Sequence, residues 1–285
     1  MLNHPGTLYV VATPIGHMGD ISARALEVLQ KVDCIAAEDT RRTLPLLRHF
    51  GIRTRCIAFH DHNEKNAAKG LIKLLSEGKN IALVSDAGTP LISDPGFVLV
   101  RDAVRTSAID VVPIPGPCAA IAALSAAGMP TRKFVFEGFL PAKQAERKRY
   151  LATLEKEQRT MIFYESSHRI LALFEDLLTQ FGPQRQVALA KEITKLYETF
   201  RAGELTQVFD WLGEQDAHRK GEFVVIVAGA TNDSGESDRI EARKILAVLL
   251  TELSVKKASK IAAQLVNLSK NELYQMALEL VDSAE

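Results

Sequence analysis

The first 128 residues of this chain alternate short apolar runs with amphipathic helical patterns, and this alternation strongly restricts the possible folds. A strand, a helix and a further strand in succession favour a parallel sheet with helices on both faces. Strands are predicted at residues 8–12, 33–37, 55–59, 81–85 and 110–114. Sheets of this kind bind ligands beyond the carboxyl ends of their strands, so we expect a site at that edge.

A second α/β unit is predicted after Gly128-Met129-Pro130. Its strands are predicted at residues 134–137, 160–164, 186–190, 196–201 and 222–228. The polar run TNDSGES, residues 231–237, predicts a flexible linker. Helices are predicted beyond it at residues 239–253, 255–268 and 270–282. We therefore predict two α/β domains, residues 1–130 and 131–230, and a helical, helix-turn-helix-like module, residues 238–285.

Bulk properties limit the function classes. The chain has 35 basic and 35 acidic residues and thus no formal net charge, so any RNA contact must come from local patches. Three separated cysteines indicate a reducing compartment, with neither a disulfide framework nor a zinc site. The sequence has neither a signal-peptide pattern nor an apolar run long enough to span a bilayer. We expect a soluble, cytoplasmic protein.

Three loops rich in glycine and proline follow predicted strands of the first domain. They are residues 13–16 (TPIG), 86–90 (DAGTP) and 115–117 (PGP). Glycine lets the main chain approach a ligand closely, and proline holds it rigid. Each loop alone could be an ordinary turn, but three at one end of a sheet favour a binding site. The chain has neither GxGxxG after the first strand nor a P-loop, which favours a nucleoside with an amino-acid tail over a dinucleotide.

Longer motifs around these loops resemble a known family. TPIGHMGD, EDTRR, SDAGTPLISDPG and PGPCA in the first domain, then YESSHR, KEITK and GEFVVIVAG in the second, resemble the ribosomal RNA small subunit methyltransferase I family. The resemblance extends from about Leu8 to Gly229. It implies two domains of the tetrapyrrole methylase type (class III), with S-adenosylmethionine in the cleft between them, and a homodimer. It also implies 2′-O-methylation of one cytidine ribose of 16S rRNA near the decoding centre.

The resemblance also implies a set of cofactor contacts, to which we add Asp86 because it opens the second loop. The set is Pro14, Ile15, Gly16, Asp86, Gly88, Thr89, Pro90, Ile92, Cys118, Ala119, Tyr164, Ala190 and Glu222. Thr89 departs from the aspartate common at this position in the superfamily, which removes a charge that could meet the cofactor's amino group. Cys118 and Ala119 replace serines that are common in relatives.

A neutral 2′-hydroxyl is a poor nucleophile, so a general base or a hydrogen-bond acceptor is expected. The candidates are Asp39, Asp61, Glu165, Lys191 and Glu192. Four of them have a simpler alternative. Asp39 could serve only the dipole of a helix, the segment from Glu165 could only begin a helix, and Lys191 with Glu192 could be a structural ion pair. His60-Asp61-His62 resembles a metal cluster, but methyl transfer needs no metal and none is expected.

Basic residues suggest where RNA would bind. Arg41 and Arg42 are adjacent in the first turn of a predicted helix, where the dipole disfavours cations, so we expect phosphate contacts there. Arg132, Lys133, Lys143 and Arg147 form either an RNA path or a solvated helix face. Lys256 and Lys257 could contact RNA, or their module could serve packing or dimerisation. Methylation of a tetrapyrrole or a protein side chain, and a non-catalytic role in ribosome assembly, remain alternatives.

Overall fold

The computed structural model describes residues 4–60, 64–106, 108–230, 234–266 and 268–282. The chain forms two compact units, Met1–Ala228 and Gly229–Glu285. Within the described ranges the first unit contains two five-stranded sheets. No helix in these ranges is long and apolar enough to cross a membrane.

The first sheet is parallel. Its strands are β1 (Thr7–Val11), β2 (Cys34–Ala37), β3 (Cys56–Ala58), β4 (Ile81–Val84) and β5 (Asp110–Ile114), in the order β3-β2-β4-β1-β5. Helices α1 (Ala23–Lys31) and α2 (Thr40–His49) cover one face, and α3 (Glu64–Ser76) and α4 (Phe97–Arg105) cover the other. Helices on both faces explain why β2 and β4 are buried along their whole lengths.

The predicted common edge of the three glycine- and proline-rich loops is confirmed. β1 lies between β4 and β5 and is parallel to both, so the segments that follow these strands emerge side by side. Helix α5 (Ala119–Ala126) begins directly after the third loop. The sheet therefore presents its glycine-rich edge and the start of α5 together.

The second sheet is mixed. Its strands are β6 (Phe134–Phe139), β7 (Thr160–Ser166), β8 (Gln186–Lys191), β9 (Thr199–Glu204) and β10 (Glu222–Val227), in the order β6-β7-β10-β8-β9. β6 and β7 are parallel, whereas β10 is antiparallel to both β7 and β8. The carboxyl ends of β6, β7 and β8 therefore share an edge with the amino end of β10, where Glu222 pairs with Ser166.

Helices cover both faces of this sheet. Helices α6 (Gln144–Thr153), α7 (Ile170–Phe181) and α8 (Leu205–Glu214) pack on one face around Phe163 and Val225. Helix α5 packs on the other face, against Ile162 and Val224. This helix follows β5 of the first sheet but buries its apolar side on the second, which joins the two sheets within one unit.

The structure corrects one predicted RNA contact. Arg147 lies on the inward face of α6 and is only 3% exposed. Its Nε donates to Oδ2 of Asp176 at 2.7 Å, and Asp176 is also buried. A guanidinium held in this way stabilises the packing of α6 on α7 and cannot reach a phosphate. The prediction that Arg147 contacts RNA is therefore wrong. The basic segment of α6 looks solvent-exposed from its sequence, but the side of the helix that carries Arg147 is buried.

The C-terminal unit consists of α9 (Ser234–Leu249), α10 (Val255–Ala262) and α11 (Lys270–Asp282). It has its own core, which includes Leu246, Ala258 and Leu273. A capping box begins α11: the Glu272 N–H donates to Ser269 Oγ, and the Ser269 N–H donates to Glu272 Oε2. Residues 234–237 form the first turn of α9 and not a linker, since a polar composition does not exclude a helix start. Residues 231–233 lie outside the described ranges.

Candidate active site

Hydrogen bonds join the three glycine- and proline-rich loops into one wall. The Thr13 N–H donates to the Gly88 carbonyl at 2.9 Å, and the Gly88 N–H donates back at 3.0 Å. Thr89 Oγ1 donates to the Pro117 carbonyl at 2.9 Å. The hydroxyl at the position where aspartate was expected thus links the second loop to the third, a bond that an ionised carboxylate could not donate.

Gly88 needs to be glycine for two reasons. Its φ is +82°, a conformation that residues with a side chain rarely adopt. A Cβ at this position would also lie 3.2 Å from Cγ2 of Ile15, in the neighbouring loop. The backbone at Gly88 therefore packs closely against the neighbouring loop.

The second sheet supplies the opposite wall, and Tyr164 connects it to the first half of the unit. Its hydroxyl accepts the Ala120 N–H, in the first turn of α5, at 3.0 Å. Burial raises the pKa of Tyr164, so the phenol stays protonated at neutral pH. This bond holds the start of α5, and with it Cys118 and Ala119, against the end of β7.

The two walls also touch through their loops. The His17 N–H donates to Oγ1 of Thr194 at 3.1 Å, across 177 residues of sequence. A Cβ at Gly16 would lie 2.6 Å from Cγ of Lys195, so only glycine permits this close approach. In the described part of the chain, the non-glycine residues with positive φ are Leu91, Ser93, Glu192 and Thr194. These four residues lie in two loops that border one cleft, residues 91–93 and 192–194. Such a concentration of strained backbone is typical of functional sites.

Between the walls lies a cavity of about 380 Å³. It is lined by Ile15, Glu38, Arg42, Asp86, Ala87, Gly88, Thr89, Ile92, Ser93, Asp94, Cys118, Ala119, Phe139, Tyr164, Glu165, Ser166, Glu192, Ile193, Lys195, Glu222, Phe223 and Val224. Both sheets contribute, as expected for a cofactor cleft between two α/β domains. The lining mixes apolar side chains with carboxylates and two cationic groups.

The EDTRR segment forms one border of this cavity. The Asp39 N–H donates to Asp86 Oδ1 at 2.9 Å, and the Asp86 N–H donates to Glu38 Oε2 at 3.3 Å. Arg42 pairs with Asp86, with Nε 3.3 Å from Oδ2, and lines the cavity. Arg41 pairs with Asp39 instead and is largely exposed. The two adjacent arginines therefore have different surroundings: one faces the cleft and the other faces solvent.

The predicted catalytic candidates separate in the structure. Asp39 caps α2 outside the cavity lining, and hydrogen bonds from the Arg41 side chain and backbone lower the pKa of Asp39 to about 2. So acidic a carboxyl is a weak base at neutral pH. Lys191 is buried at the end of β8, also outside that lining. Asp61 lies outside the described residues.

Glu165 lines the cavity but is almost fully buried. Its Oε1 accepts the Ser166 N–H at 2.8 Å, and its Oε2 lies 3.2 Å from Nη2 of Arg169. Arg169 in turn donates to the Leu140 carbonyl at 2.6 Å. Oε1 thus supports the neighbouring backbone, whereas Oε2 is paired in charge with Arg169 but accepts no hydrogen bond within the described residues. The pairing with Arg169, which holds the Leu140 carbonyl, favours a positioning role.

Glu192 lines the cavity, and its ion-pair partner is Lys195, not the Lys191 of the structural alternative. Its Oε1 accepts from Lys195 Nζ at 3.1 Å and from the Glu222 N–H at 2.8 Å. Burial raises the pKa of Glu192, but these hydrogen bonds outweigh it and the net pKa lies below its ordinary value. Gly221 permits this arrangement, because a Cβ there would lie 2.5 Å from Cγ of Glu192.

Most predicted cofactor contacts lie together on the cavity wall: Ile15, Asp86, Gly88, Thr89, Ile92, Cys118, Ala119, Tyr164 and Glu222. Pro14, Gly16 and Pro90 support these loops from outside the lining. The predicted cofactor contact of Ala190 is wrong, because its side chain is buried in the core between α5 and the second sheet. Sequence reasoning missed Glu38, Ser93, Asp94, Ser166 and Lys195, although each lies inside a motif quoted above. It also missed Phe139, which no motif indicated.

The remaining predicted RNA contacts are on the surface. Arg132 and Lys133 are exposed immediately before β6, and Lys143 is exposed and pairs with Glu146 at 3.3 Å. Lys256 and Lys257 are exposed on α10 of the C-terminal unit. Their contact with RNA stays a prediction.

Two family profiles match the chain. Residues 7–208 match the family described as Tetrapyrrole (Corrin/Porphyrin) Methylases. Residues 236–281 match the RsmI C-terminal HTH domain. The first match spans the first sheet and four of the five strands of the second, and the second match spans nearly all of the C-terminal helices.

Curated proteins similar to the chain match it over nearly its full length. It is 53% identical to the ribosomal RNA small subunit methyltransferase I of Escherichia coli O157:H7 over 278 aligned residues. The aligned region covers 97% of this chain and 96% of that protein. It is 51% identical to the protein of the same description from Pseudomonas aeruginosa, over 96% of this chain and 97% of that protein.

Solved structures support the fold. The uroporphyrin-III-C-methyltransferase of Thermus thermophilus aligns with a TM-score of 0.56 at 22% identity, over 81% of this chain and 98% of that one. A cobalt precorrin-4 methyltransferase aligns with a TM-score of 0.57 at 17% identity, over 78% of this chain and 94% of that one. At these identities the likeness concerns the fold alone.

Proposed function

Because the chain belongs to the tetrapyrrole methylase family, and within it to the ribosomal RNA small subunit methyltransferase I group, we propose that it methylates the 2′-hydroxyl of one cytidine ribose in 16S rRNA near the decoding centre. The proposal includes S-adenosylmethionine as methyl donor, a homodimer as the assembly and the cytoplasm as location. The observation that carries it is the 53% identity over almost the whole chain, with the two-walled cleft in the matched region.

The cleft fits S-adenosylmethionine chemically. Small-molecule sites usually have volumes of about 300–1,000 Å³, and this cavity has about 380 Å³. Ile15 and Ile92 line the cavity and offer apolar contact. The carboxylates of Glu38 and Asp86 suit a ligand with a sulfonium and an ammonium group. When bound, S-adenosylmethionine supplies an electrophilic methyl carbon.

The protein's own contribution is chiefly alignment. Holding an acceptor oxygen in line with a reactive carbon can lower a barrier by several kcal/mol, on the order of 7–11 for ideal geometry. The bonded loops and the Tyr164 contact give the cleft the rigidity that this needs. Glu192 is the candidate best suited to accept a hydrogen bond from the 2′-hydroxyl, because it lines the cavity and stays ionised at neutral pH.

We expect assembled small subunits from cells lacking the protein to be methylated far better than naked 16S rRNA, by on the order of 100-fold. A chain without net charge cannot bind arbitrary RNA tightly through counterion release, so selection of one ribose must rely on folded shape. The measurement is the rate of methyl transfer, with the modified nucleotide mapped by mass spectrometry.

A chain ending at Ala228, the boundary between the two units, serves as the comparison. It should lose more activity on the subunit than affinity for S-adenosylmethionine. Equal rates on intact subunits and on a short oligonucleotide of the same sequence would contradict recognition by shape. A methyl group mapped to a base instead of a ribose would contradict the proposed reaction.

Arg41→Ala should weaken RNA binding and reduce the salt dependence of the binding constant by about one phosphate contact, a log–log slope change of about 0.7–0.9. Arg41 is largely exposed at the edge of the cleft, so S-adenosylmethionine affinity should stay unchanged. Arg42→Ala should change both affinities, because Arg42 lines the cavity and pairs with Asp86. Arg48→Ala, at the other end of α2, is the control and should change neither. An unaltered slope for Arg41→Ala would exclude its phosphate contact.

A further inference from the structure

Phe139 is an aromatic side chain left open in the cleft. It lines the cavity and is 56% exposed, whereas Phe163 on the neighbouring strand is fully buried. It ends β6, the outermost strand of the second sheet, so it lies at the side of the cleft where the sheet stops. Binding sites combine apolar walls with a few polar groups, and an uncovered ring in a concave site is suited to contact a ligand.

An irregularity in β6 directs this ring into the cleft. Phe136 pairs with Ile162 and Phe139 with Tyr164, so three residues of β6 advance against two of β7. The extra residue brings both phenylalanines to the face of the sheet that carries Tyr164, and bulges commonly redirect side chains next to active sites. Gly138 follows the extra residue with a φ of +64°, which favours glycine.

The ring is also held in position. It meets Tyr164 edge-on, with the ring centres 5.6 Å apart. The next two carbonyls of the chain, those of Leu140 and Pro141, accept from Nη2 of Arg169 at 2.6 and 3.3 Å. Arg169 is itself paired with the buried Glu165. A ring supported in this way loses little freedom when a ligand stacks on it, which favours binding.

We propose that the Phe139 ring stacks against the base of the nucleotide whose ribose is methylated. This rests on the proposed function, because an RNA acceptor must enter the cleft with its base attached. The predicted cofactor contacts lie on the first-sheet loops and the central strands of the second sheet, whereas Phe139 lies on the edge strand and is largely exposed, which leaves its ring available to an acceptor. Every base has a π face, so this contact positions the acceptor without reading its identity.

Phe139→Leu tests the proposal, because leucine keeps an apolar side chain and removes the ring. We expect it to raise KM for assembled small subunits by about 5- to 150-fold, the range for loss of one base–aromatic stack. Affinity for S-adenosylmethionine, measured by titration calorimetry, should stay within about twofold of the wild-type value. Phe139→Tyr should retain the wild-type KM. Phe134→Leu, at the other end of β6, is the matched control and should behave as wild type.

These measurements distinguish failure of the stacking role from failure of the proposed function. An unchanged KM for Phe139→Leu, with an active wild-type enzyme, overturns the stacking role and leaves the proposed function intact. A loss of S-adenosylmethionine affinity equal to the rise in KM also overturns it, since the ring would then contact the cofactor's adenine. If the wild-type enzyme transfers no methyl group to small-subunit RNA, the proposed function fails and the inference fails with it.

Discussion

Gly88→Val is expected to lower the affinity for S-adenosylmethionine by about 100-fold or more while the chain remains folded. A branched side chain at φ +82° would project toward Ile15 and occupy space in the cleft. Overpacking of this kind costs about 1–3 kcal/mol and sometimes more, and 3 kcal/mol corresponds to roughly a 150-fold change in a binding constant. Titration calorimetry gives the affinity, and circular dichroism checks the fold.

Gly51→Val is the control that distinguishes loss of ligand space from backbone strain as the cause of the effect of Gly88→Val. Gly51 also has a positive φ, +67°, but nothing lies within 4 Å of the position that its Cβ would take. It follows α2, at the end of that helix distant from the cleft. This variant should lose stability and keep its affinity for S-adenosylmethionine. A folded Gly88→Val protein with wild-type affinity would show that the cofactor does not bind against this loop.

Asp176→Ala is expected to reduce the free energy of unfolding by about 3–5 kcal/mol, because it leaves the charge of Arg147 buried without its carboxylate. Lys148 Nζ also lies 3.6 Å from Oδ1 of Asp176, so the variant removes the partner of two cations. Urea denaturation followed by circular dichroism measures the loss. The effect should be on stability, since neither Arg147 nor Asp176 lines the cleft.

The double variant Arg147→Met with Asp176→Leu provides the comparison. Replacing a buried ion pair by apolar residues of similar volume is often neutral or stabilising, so we expect most of the lost stability to return. RNA binding should be unaffected, because the guanidinium is enclosed between α6 and α7. Weaker RNA binding by a stable double variant would restore Arg147 as an RNA contact.

Several features of the site could be predicted because the interactions that create them are short-range in sequence. The strands at 81–85 and 110–114 are apolar runs with strand-sized lengths, and the structure places β4 and β5 there. Ser22 caps α1, with its Oγ accepting the Ala25 N–H at 3.1 Å, because the donor is only three residues away. Once the strands alternate with helices, a parallel sheet follows, and it brings the three loops to one edge.

The same local reasoning failed where a partner is distant along the chain. The pattern around Arg147 looks like a basic helix face, but Asp176, 29 residues later, draws the side chain inward. Glu165 and Asp39 resemble available bases until Arg169 and Arg41 are placed against them. Burial and ion pairing determine whether a charged residue can act, and both depend on the folded arrangement.

The sequence by itself determined the sheet-and-helix order, the glycines that the cleft requires and the motifs that indicate the family, since each depends on local geometry or on residue identity. Only the tertiary structure decided which side chains face the cavity. The register shift between Phe136 and Gly138 aims Phe139 into the cleft. The Thr194 hydroxyl accepts the His17 N–H across the two walls. Strand register and close approach arise from the packing of one sheet against another, so they are properties of the assembled core and not of any segment within it.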